Sequence, residues 1–255
     1  MRRCRPEHAG GRAGLAVTRD PAEGVDAAGY LVTGAGLTNV PPAYRPVIAD
    51  CVAALTAFPE LDGLYLYGSV ATGRARPPDS DLDLLALWTS TVDASATVAA
   101  LSARHAAVVR GVGLAEASVD SLAEEADRCF LKHYCVPLAG RDRRADLPRC
   151  RPSRQLAIGF AGDLPALLRS IVDRAPTQEV AARKVARRLL LGVATIESAS
   201  HGGWTTDRAT GAALLAEHHP QWTDVAARAV QMSAGAPGDV ADLLALGDWL
   251  VRDRE

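Results

Sequence analysis

The sequence predicts an α+β fold, with a small mixed sheet in the first part of the chain and a bundle of helices in the second. Large residues alternate over residues 64–67, and an apolar run covers residues 84–88, which are both strand patterns. From residue 155 onward the apolar residues follow helical spacing instead. Between the two parts, residues 141–154 are rich in arginine and contain two prolines, as a domain boundary often is.

Composition limits the classes of function. The 255 residues suffice for one large domain or two ordinary ones, and 48% of them are hydrophobic, enough to fill a core. With a net charge of −2 the chain has no basic footprint, so a nucleic-acid partner is not expected. No apolar run long enough to span a bilayer is recognised, and the N-terminus lacks the apolar core of a secretory signal, so no membrane partner is expected.

The cysteines indicate a reducing compartment. They are odd in number and scattered, which favours free thiols in a cytosol over a disulfide framework. His133 and Cys135 alone make a weak zinc pattern, and we interpret them as packing residues. Arginine greatly outnumbers lysine and alanine is abundant, which indicates a GC-rich bacterial genome. The cysteines are Cys4, Cys51, Cys129, Cys135 and Cys150.

In chain order, residues 1–35 show no periodicity and are expected to be disordered or loosely packed. Pro41 and Pro42 mark a boundary, after which residues 43–57 have a helical apolar stripe. The alternation of residues 61–67 predicts the first strand of the sheet. The apolar run at residues 82–88 predicts the second strand.

The rest of the first half is predicted to contain two helices and two more strands. Residues 92–109 predict a helix that packs on the sheet, and residues 114–119 a third strand with Glu116 in its middle. Residues 121–127 predict a short acidic helix that begins with a capping box. Residues 129–138 predict a fourth strand.

The second half is predicted to be helical. Residues 156–172 form one helix, and a longer one runs from Thr177 to about Ser198. Its apolar face is predicted to comprise Val185, Leu189, Gly192 and Ile196. Lys184 and Arg188 lie four residues apart on this long helix, where like charges destabilise slightly, so an anionic partner is indicated. Trp204 is expected to be a packing anchor, with stacking on a base or sugar as the alternative. Further helices are predicted at residues 204–218, 222–232 and 237–252.

Two carboxylates mark the candidate chemistry. Asp81 and Asp83 are two residues apart at the start of a strand, so their side chains share a face and repel unless a cation lies between them. Mg²⁺ suits them, because it binds one or two carboxylates together with substrate phosphates. Gly68 lets the backbone approach a ligand closely, and Ser69 offers a hydroxyl and an N–H at the start of a short helix. An isolated Asp-x-Asp is usually a solvated turn; the combined pattern is much rarer by chance.

This combined pattern resembles the signature of the nucleotidyltransferase superfamily that includes DNA polymerase β and the aminoglycoside nucleotidyltransferases. An apolar strand ends in Gly68-Ser69, and after a spacer comes Ser80-Asp81-Leu82-Asp83 between apolar residues. One departure is Thr72, where relatives often carry arginine. The resemblance covers roughly residues 40–250 and implies a nucleotidyltransferase domain at residues 36–150, followed by a helical bundle domain at residues 151–255.

The resemblance also implies an activity. It implies Mg²⁺-dependent transfer of a nucleoside monophosphate, AMP from ATP or another NTP, to a hydroxyl of a small molecule such as an aminoglycoside-like antibiotic. Gly68 and Ser69 would bind the triphosphate, and Asp81 and Asp83 the metal. One alternative is adenylyl transfer to a protein or RNA, as in antitoxin-type relatives. The other alternative is a non-catalytic nucleotide-binding module.

Three further residues complete the predicted site. In relatives a glutamate in the third strand lies beside the paired aspartates, which implies that Glu116 is the general base or third metal ligand. The alternatives are that Glu116 faces solvent on an edge strand and that Asp120 takes this role. Lys184 and Arg188 would contact the nucleotide phosphates, because relatives carry basic residues on the corresponding helix.

Overall fold

The computed structural model describes residues 23–119 and 122–252, and the predicted α+β class is confirmed. The strands are β1 Gly24–Val25, β2 Leu31–Val32, β3 Leu61–Tyr67, β4 Leu82–Trp88, β5 Val112–Ser118 and β6 Val136–Gly140. The helices are α1 Arg45–Leu55, α2 Gly68–Ala71, α3 Ser95–Arg104, α4 Glu125–Tyr134, α5 Arg154–Ala161, α6 Leu164–Arg174, α7 Gln178–Ser200, α8 Arg208–His218, α9 Thr223–Ser233 and α10 Ala241–Val251. The two strands around the Gly-Ser and Asp-x-Asp residues have the predicted bounds.

The main sheet is mixed, with the strand order β5-β4-β3-β6. β3 is antiparallel to both β4 and β6, whereas β4 and β5 are parallel and are joined through α3. In the register of the central pair, Tyr67 lies opposite Asp83 and Leu66 opposite Leu84. The chain therefore leaves β3 at Gly68 beside the carboxylate that opens β4.

The two faces of this sheet pack against different layers. Leu64, Leu66 and Leu84 are fully buried on one face, in a core shared with α1 and α3. Tyr65 and Leu87 are buried on the other face, in a smaller core shared with α4. Because side chains alternate along a strand, the odd-numbered residues of β4, including Asp83, point to the α4 side.

The second half is built around α7, against which α5, α6, α8, α9 and α10 pack. Val185, Leu189, Gly192 and Ile196 form the predicted apolar stripe of α7, and all four are buried. The helix begins where the Thr177 hydroxyl accepts a hydrogen bond from the Val180 N–H at 3.2 Å. The helical core also contains buried residues from earlier in the chain, namely Leu31, Cys129 and Cys150.

The predicted fourth strand at residues 129–138 is wrong for its first half, which belongs to α4. Cys129 is buried in the helical core, whereas Leu131 is buried in the core under the sheet. A helix buried on two sides has apolar residues all around it, and over a short run this cannot be distinguished from a buried strand. The strand β6 starts only at Val136. The predicted acidic helix at 121–127 is absent over residues 122–124, since α4 begins at Glu125; Ser121 lies outside the described residues.

The predicted helix at residues 156–172 is two helices, α5 and α6. Gly162 has a φ of +62°, a conformation that favours glycine and ends α5. Asp163 then caps α6 by accepting a hydrogen bond from the Ala166 N–H at 3.0 Å. By length and composition alone, residues 154–174 would be apolar enough to cross a membrane, contrary to the sequence expectation. In the structure 28% of this apolar window is buried, including Leu164 and Leu168, which lie in the helical core.

The expected loose N-terminal segment differs from the structure over residues 23–35. β1 and β2 pair there, and Leu31 is buried in the helical core. The Leu31 N–H donates to the Cys150 carbonyl at 3.0 Å, and the Thr33 hydroxyl donates to the His133 carbonyl. Through Leu31 and Thr33 this segment therefore hydrogen-bonds to later parts of the chain, which its amino-acid composition does not indicate. Residues 1–22 lie outside the described part of the chain.

The arginine-rich segment after β6 is anchored to the sheet. Arg143 makes a bidentate ion pair with Asp62 on β3, with N–O distances of 2.7 and 2.6 Å. The Tyr65 hydroxyl donates to the Arg141 carbonyl at 2.8 Å and accepts from the Arg143 N–H at 2.9 Å. The Arg143 guanidinium holds the pKa of Asp62 below its ordinary value.

Replacing Asp62 with asparagine is expected to lower the unfolding temperature near neutral pH. The folded-state pKa of Asp62 is lowered, so its contribution to stability is present above the unfolded pKa of about 3.9 and is lost as the pH falls through the folded value. The difference between wild type and Asp62→Asn should therefore shrink as the pH decreases. Thermal unfolding of both proteins from pH 7 to pH 3 measures this, and a difference independent of pH would contradict it.

Candidate active site

The aspartate pair opens β4 on the side that faces α4. Asp81 lies immediately before the strand, and Asp83 is its second residue. The Leu82 N–H donates to the Gly111 carbonyl at 3.0 Å, and the Arg110 N–H to the Ser80 carbonyl at 3.1 Å, which continues the β4–β5 ladder back to Asp81. The backbone at Asp81 and Asp83 is therefore extended, and their two side chains lie on the same face of the sheet.

Gly68 packs directly against Asp83. A Cβ at position 68 would lie 2.4 Å from Asp83 Oδ2, closer than any side chain allows, and the φ of Gly68 is +74°. A side chain at Gly113, on the neighbouring strand, would lie 3.4 Å from Asp83 Oδ1. Two glycines therefore leave the space around this carboxylate free of side chains, which is what a bound ion or phosphate needs.

The Gly68→Ala variant is expected to lose transfer activity and to be destabilised by about 1–3 kcal/mol, because it adds both a clash and an unfavourable φ. Gly202→Ala is the matched control, since its φ is +71° and a Cβ there meets nothing within 4 Å. Denaturant unfolding and an activity assay of both variants separate backbone strain from the clash. If Gly202→Ala were as inactive as Gly68→Ala, close packing at Gly68 would not explain the loss.

The charges of the pair are only partly compensated. Arg110 binds Asp81 with both ends of its guanidinium, with 2.9 Å between Nε and Oδ1. Burial raises the pKa of Asp83, and the neighbouring Asp81 raises it further. Two carboxylates on one face, with open space beside one of them, are a donor set that fits a hard cation such as Mg²⁺.

A cavity of about 690 Å³ lies between the sheet and the helices; Asp81 and Asp83 do not line it themselves, and Gly68 lies between it and Asp83. Gly68, which contacts Asp83, and Ser69 lie in its wall. Its apolar part is an aromatic wall, and its polar part carries basic and acidic side chains from both halves of the chain. The aromatic wall comprises Tyr67, Phe130, Tyr134 and Phe160, and the charged residues are Arg74, Arg187, Arg188, Arg208, Glu23, Asp127 and Asp207.

Four arginines and three carboxylates line this cavity. Two of its three acidic residues are engaged locally: Asp207 caps α8 through the Thr210 N–H at 2.7 Å, and Glu23 accepts from the Thr206 N–H at 2.9 Å. Burial lowers the pKa of Arg208, and the charge of the nearby Arg187 adds to the effect. Because Arg187 and Arg208 repel each other in a half-buried cavity, an anion bound between them is favoured.

Arg188 is brought to the cavity as the sequence predicts, but Lys184 is not. Arg188 Nη2 donates to the Ala161 carbonyl at 2.9 Å, while its Nε is buried with no hydrogen-bond partner among residues 23–119 and 122–252. Burial also lowers the pKa of Arg188. Lys184 is exposed, one turn away, and does not line the cavity.

Glu116 is not brought together with the aspartate pair. Asp83 pairs with Gly113, whereas Glu116 pairs with Ala86, about 10 Å further along the strands. Glu116 is exposed on the edge strand β5, where it lines a second pocket together with Leu87 and Phe130. The expected convergence of three carboxylates is therefore not found. Asp120, the competing candidate, lies outside the described residues.

Sequence reasoning missed Tyr67, Arg187 and Arg208. Tyr67 pairs with Asp83, and its ring meets Phe130 edge-on at 5.1 Å between centroids; burial, followed by the charge of Asp83, raises its pKa to about 12. Arg187 could have been found beside Arg188, but Arg208 gives no local signal. Trp204 is the expected packing anchor: it is 3% exposed and packs edge-on against Phe160.

Gly68-Ser69 leaves β3 beside Asp83 of β4, which lies opposite Tyr67. No protein-family model matches the chain, and no curated protein matches it in sequence. Among solved structures, it is similar to spectinomycin adenyltransferase AAD(9) from Enterococcus faecialis, crystallised with ATP and spectinomycin. The two share 12% identity with a TM-score of 0.48, over 80% of this chain and 96% of that one. It is also similar to a mutant of the toxin-antitoxin MntA-HpeT, at 20% identity and a TM-score of 0.27, over 49% of this chain and 94% of that one.

Proposed function

We propose that this protein is a nucleotidyltransferase that moves a nucleoside monophosphate, AMP in the simplest case, from an NTP to a hydroxyl group. One observation supports the proposal: Gly68 packs against Asp83 and also lies in the wall of a cavity that four arginines line. The volume of about 690 Å³ lies within the usual range of small-molecule sites. A triphosphate is the ligand that uses both halves of this site, because it needs metal on one side and cationic groups on the other.

The metal would be held by Asp81 and Asp83. Their hard oxygen donors, and the space that a Cβ at Gly68 would fill, fit Mg²⁺. When bound, Mg²⁺ would neutralise part of the charge on the triphosphate. Asp83 would then keep its charge despite burial, and Arg110 would share Asp81 with the ion.

The proposed reaction is a displacement at the α-phosphorus. The acceptor oxygen forms a bond to this phosphorus, the bond from phosphorus to the bridging oxygen of the β-phosphate breaks, and pyrophosphate leaves while the hydroxyl proton passes to solvent water. Arg188, Arg187 and Arg208 would bind the β- and γ-phosphates and stabilise the charge that develops on pyrophosphate. Glu116 is left out of this scheme, because its partner in the β4–β5 register is Ala86 and not Asp83.

The acceptor is proposed to be a small molecule that binds in the same cavity. Phe130, Tyr134 and Phe160 form a continuous aromatic wall, with ring centroids 5.7 Å apart for Phe130 and Tyr134 and 6.4 Å for Phe130 and Phe160. Such a wall can bury one face of a ring, either of the base or of the acceptor. A cavity bounded by both halves of the chain encloses a small acceptor more readily than a macromolecule.

Label transfer from α-labelled NTPs tests the proposal. The purified protein is incubated with Mg²⁺, each NTP and a panel of aminoglycosides and spectinomycin, with tRNA and a candidate partner protein in parallel reactions. We expect label on a small molecule, and none after Mg²⁺ is chelated. Label only on tRNA or protein would replace the proposed acceptor class, and no transfer in any reaction would contradict the proposed activity.

A further inference from the structure

A second cluster of metal-binding groups lies away from the aspartate pair, where the two halves of the chain meet. Cys129 and His133 are one turn apart on α4, and Cys150 belongs to the segment that leads into α5. One donor atom from each of the three lies within 4.8 Å of the others. Both cysteines are buried, at 0% and 7% exposure, and His133 is half-buried.

The spacing on α4 explains how the cluster forms. Residues i and i+4 of a helix project from the same face, so Cys129 and His133 point together towards the segment that carries Cys150. The Cys150 N–H donates to His133 Nε2 at 2.9 Å. His133 Nε2 accepts this hydrogen bond, so it faces Cys150 with the lone pair that an imidazole also uses to bind a metal.

The distances are close to those of a tetrahedral site. Zinc bonds of about 2.3 Å to sulfur and about 2.0 Å to nitrogen place neighbouring donors about 3.5–3.8 Å apart. Donors within 4.8 Å of one another reach this separation by a movement of about 1 Å, which side-chain rotation of Cys129, His133 and Cys150 can supply. On binding, the ion would replace the Cys150 N–H as the partner of His133 Nε2.

We propose that Cys129, His133 and Cys150 form a binding site for a thiophilic divalent cation such as Zn²⁺. Sulfur and nitrogen donors select such ions, whereas the oxygen donors of the aspartate pair select Mg²⁺. Three protein ligands leave a fourth position for water. The site is independent of the proposed transfer reaction, because none of its ligands lines the cavity.

The position of the cluster indicates a structural role. The Leu31 N–H donates to the Cys150 carbonyl at 3.0 Å, and the Thr33 hydroxyl donates to the His133 carbonyl. An ion bound here would join the β1–β2 hairpin, α4 and the segment before α5 at one point. Since it would bind the folded chain preferentially, it would raise the unfolding temperature with concentration.

Titration of the reduced full-length protein with Co²⁺ tests the site, because a cobalt–thiolate bond gives a charge-transfer absorption that carboxylate ligands do not. We expect this absorption to saturate at one equivalent and to disappear when Zn²⁺ is added. It should be lost in Cys129→Ala and Cys150→Ala and weakened in His133→Asn. Cys51→Ala and Cys135→Ala, which change buried cysteines outside the cluster, should retain it, and so should Asp83→Asn.

The wild-type titration is informative even if a cysteine variant fails to fold. Absence of thiolate absorption in the reduced wild type would overturn the proposal. Retention of the absorption in folded Cys150→Ala would do the same. Formation of a Cys129–Cys150 disulfide in air by a protein that binds no Co²⁺ when reduced would show a redox pair in place of a metal site.

Discussion

Asp83→Asn is expected to reduce nucleotidyl transfer about 10³-fold or more, since losing one carboxylate of a metal site removes about 4 kcal/mol of charge stabilisation. The asparagine side chain would keep the shape of the aspartate while removing its charge. Asp79→Asn is the matched control, because Asp79 is an exposed acid just before the pair and is not a proposed ligand. Steady-state transfer rates of the three proteins at saturating Mg²⁺ make the comparison. Equal activity of wild type and Asp83→Asn would contradict the assignment.

The same variant is expected to be more stable than wild type without divalent cations. The folded-state pKa of Asp83 is raised by burial and by Asp81, so its ionised carboxylate costs stability as the pH rises above the unfolded pKa of about 3.9. Asparagine removes that cost. Adding Mg²⁺ should then raise the unfolding temperature of wild type only. A variant that is both inactive and less stable at pH 7 would instead indicate a structural role for Asp83.

Arg188→Met is expected to raise KM for the NTP about 10- to 100-fold, because hydrogen bonds to a charged group contribute about 1.5–3 kcal/mol each. Its buried Nε lacks a hydrogen-bond partner within the described ranges, and a phosphate oxygen would supply one. Burial of this charge costs stability, so the methionine variant should fold at least as well as wild type.

Lys184→Met is the control for Arg188→Met. The two residues lie on the same helix, but Lys184 is exposed and outside the cavity, so its removal should leave KM nearly unchanged. Initial-rate kinetics over a range of NTP concentrations measure both effects. A large rise of KM in Lys184→Met, with none in Arg188→Met, would place the phosphates at Lys184 and contradict the cavity as the phosphate site.

The central hairpin could be predicted because its signals are local. Alternation over β3, the apolar run of β4 and the glycine between them depend only on neighbours in sequence, and register follows from that pairing. The stripe Val185, Leu189, Ile196 predicted the central helix for the same reason. Asp81 and Asp83 project from the same face of the strand whichever strands it pairs with, so their proximity could also be predicted from the sequence.

The parts that could not be predicted depend on distant contacts. The place of Glu116 is set by the register between β4 and β5, and the chain that joins these strands gives no information about that register. Residues 129–134 of α4 were assigned to a strand because this part of the helix is buried on two sides, by the sheet and by the helices. Arg208 reaches the cavity only because α8 packs on α7, and Cys150 reaches Cys129 only because its segment returns to α4.

The most direct measurement of the central claim compares the fate of two labels. The protein is given ATP labelled at either the α- or the γ-phosphate, together with Mg²⁺ and the acceptor identified in the panel. We expect the α-label to appear on the acceptor and the γ-label only in pyrophosphate, with both products lost in Asp83→Asn. Transfer of the γ-label to the acceptor, or hydrolysis to ADP and phosphate without transfer, would contradict nucleotidyl transfer at this site.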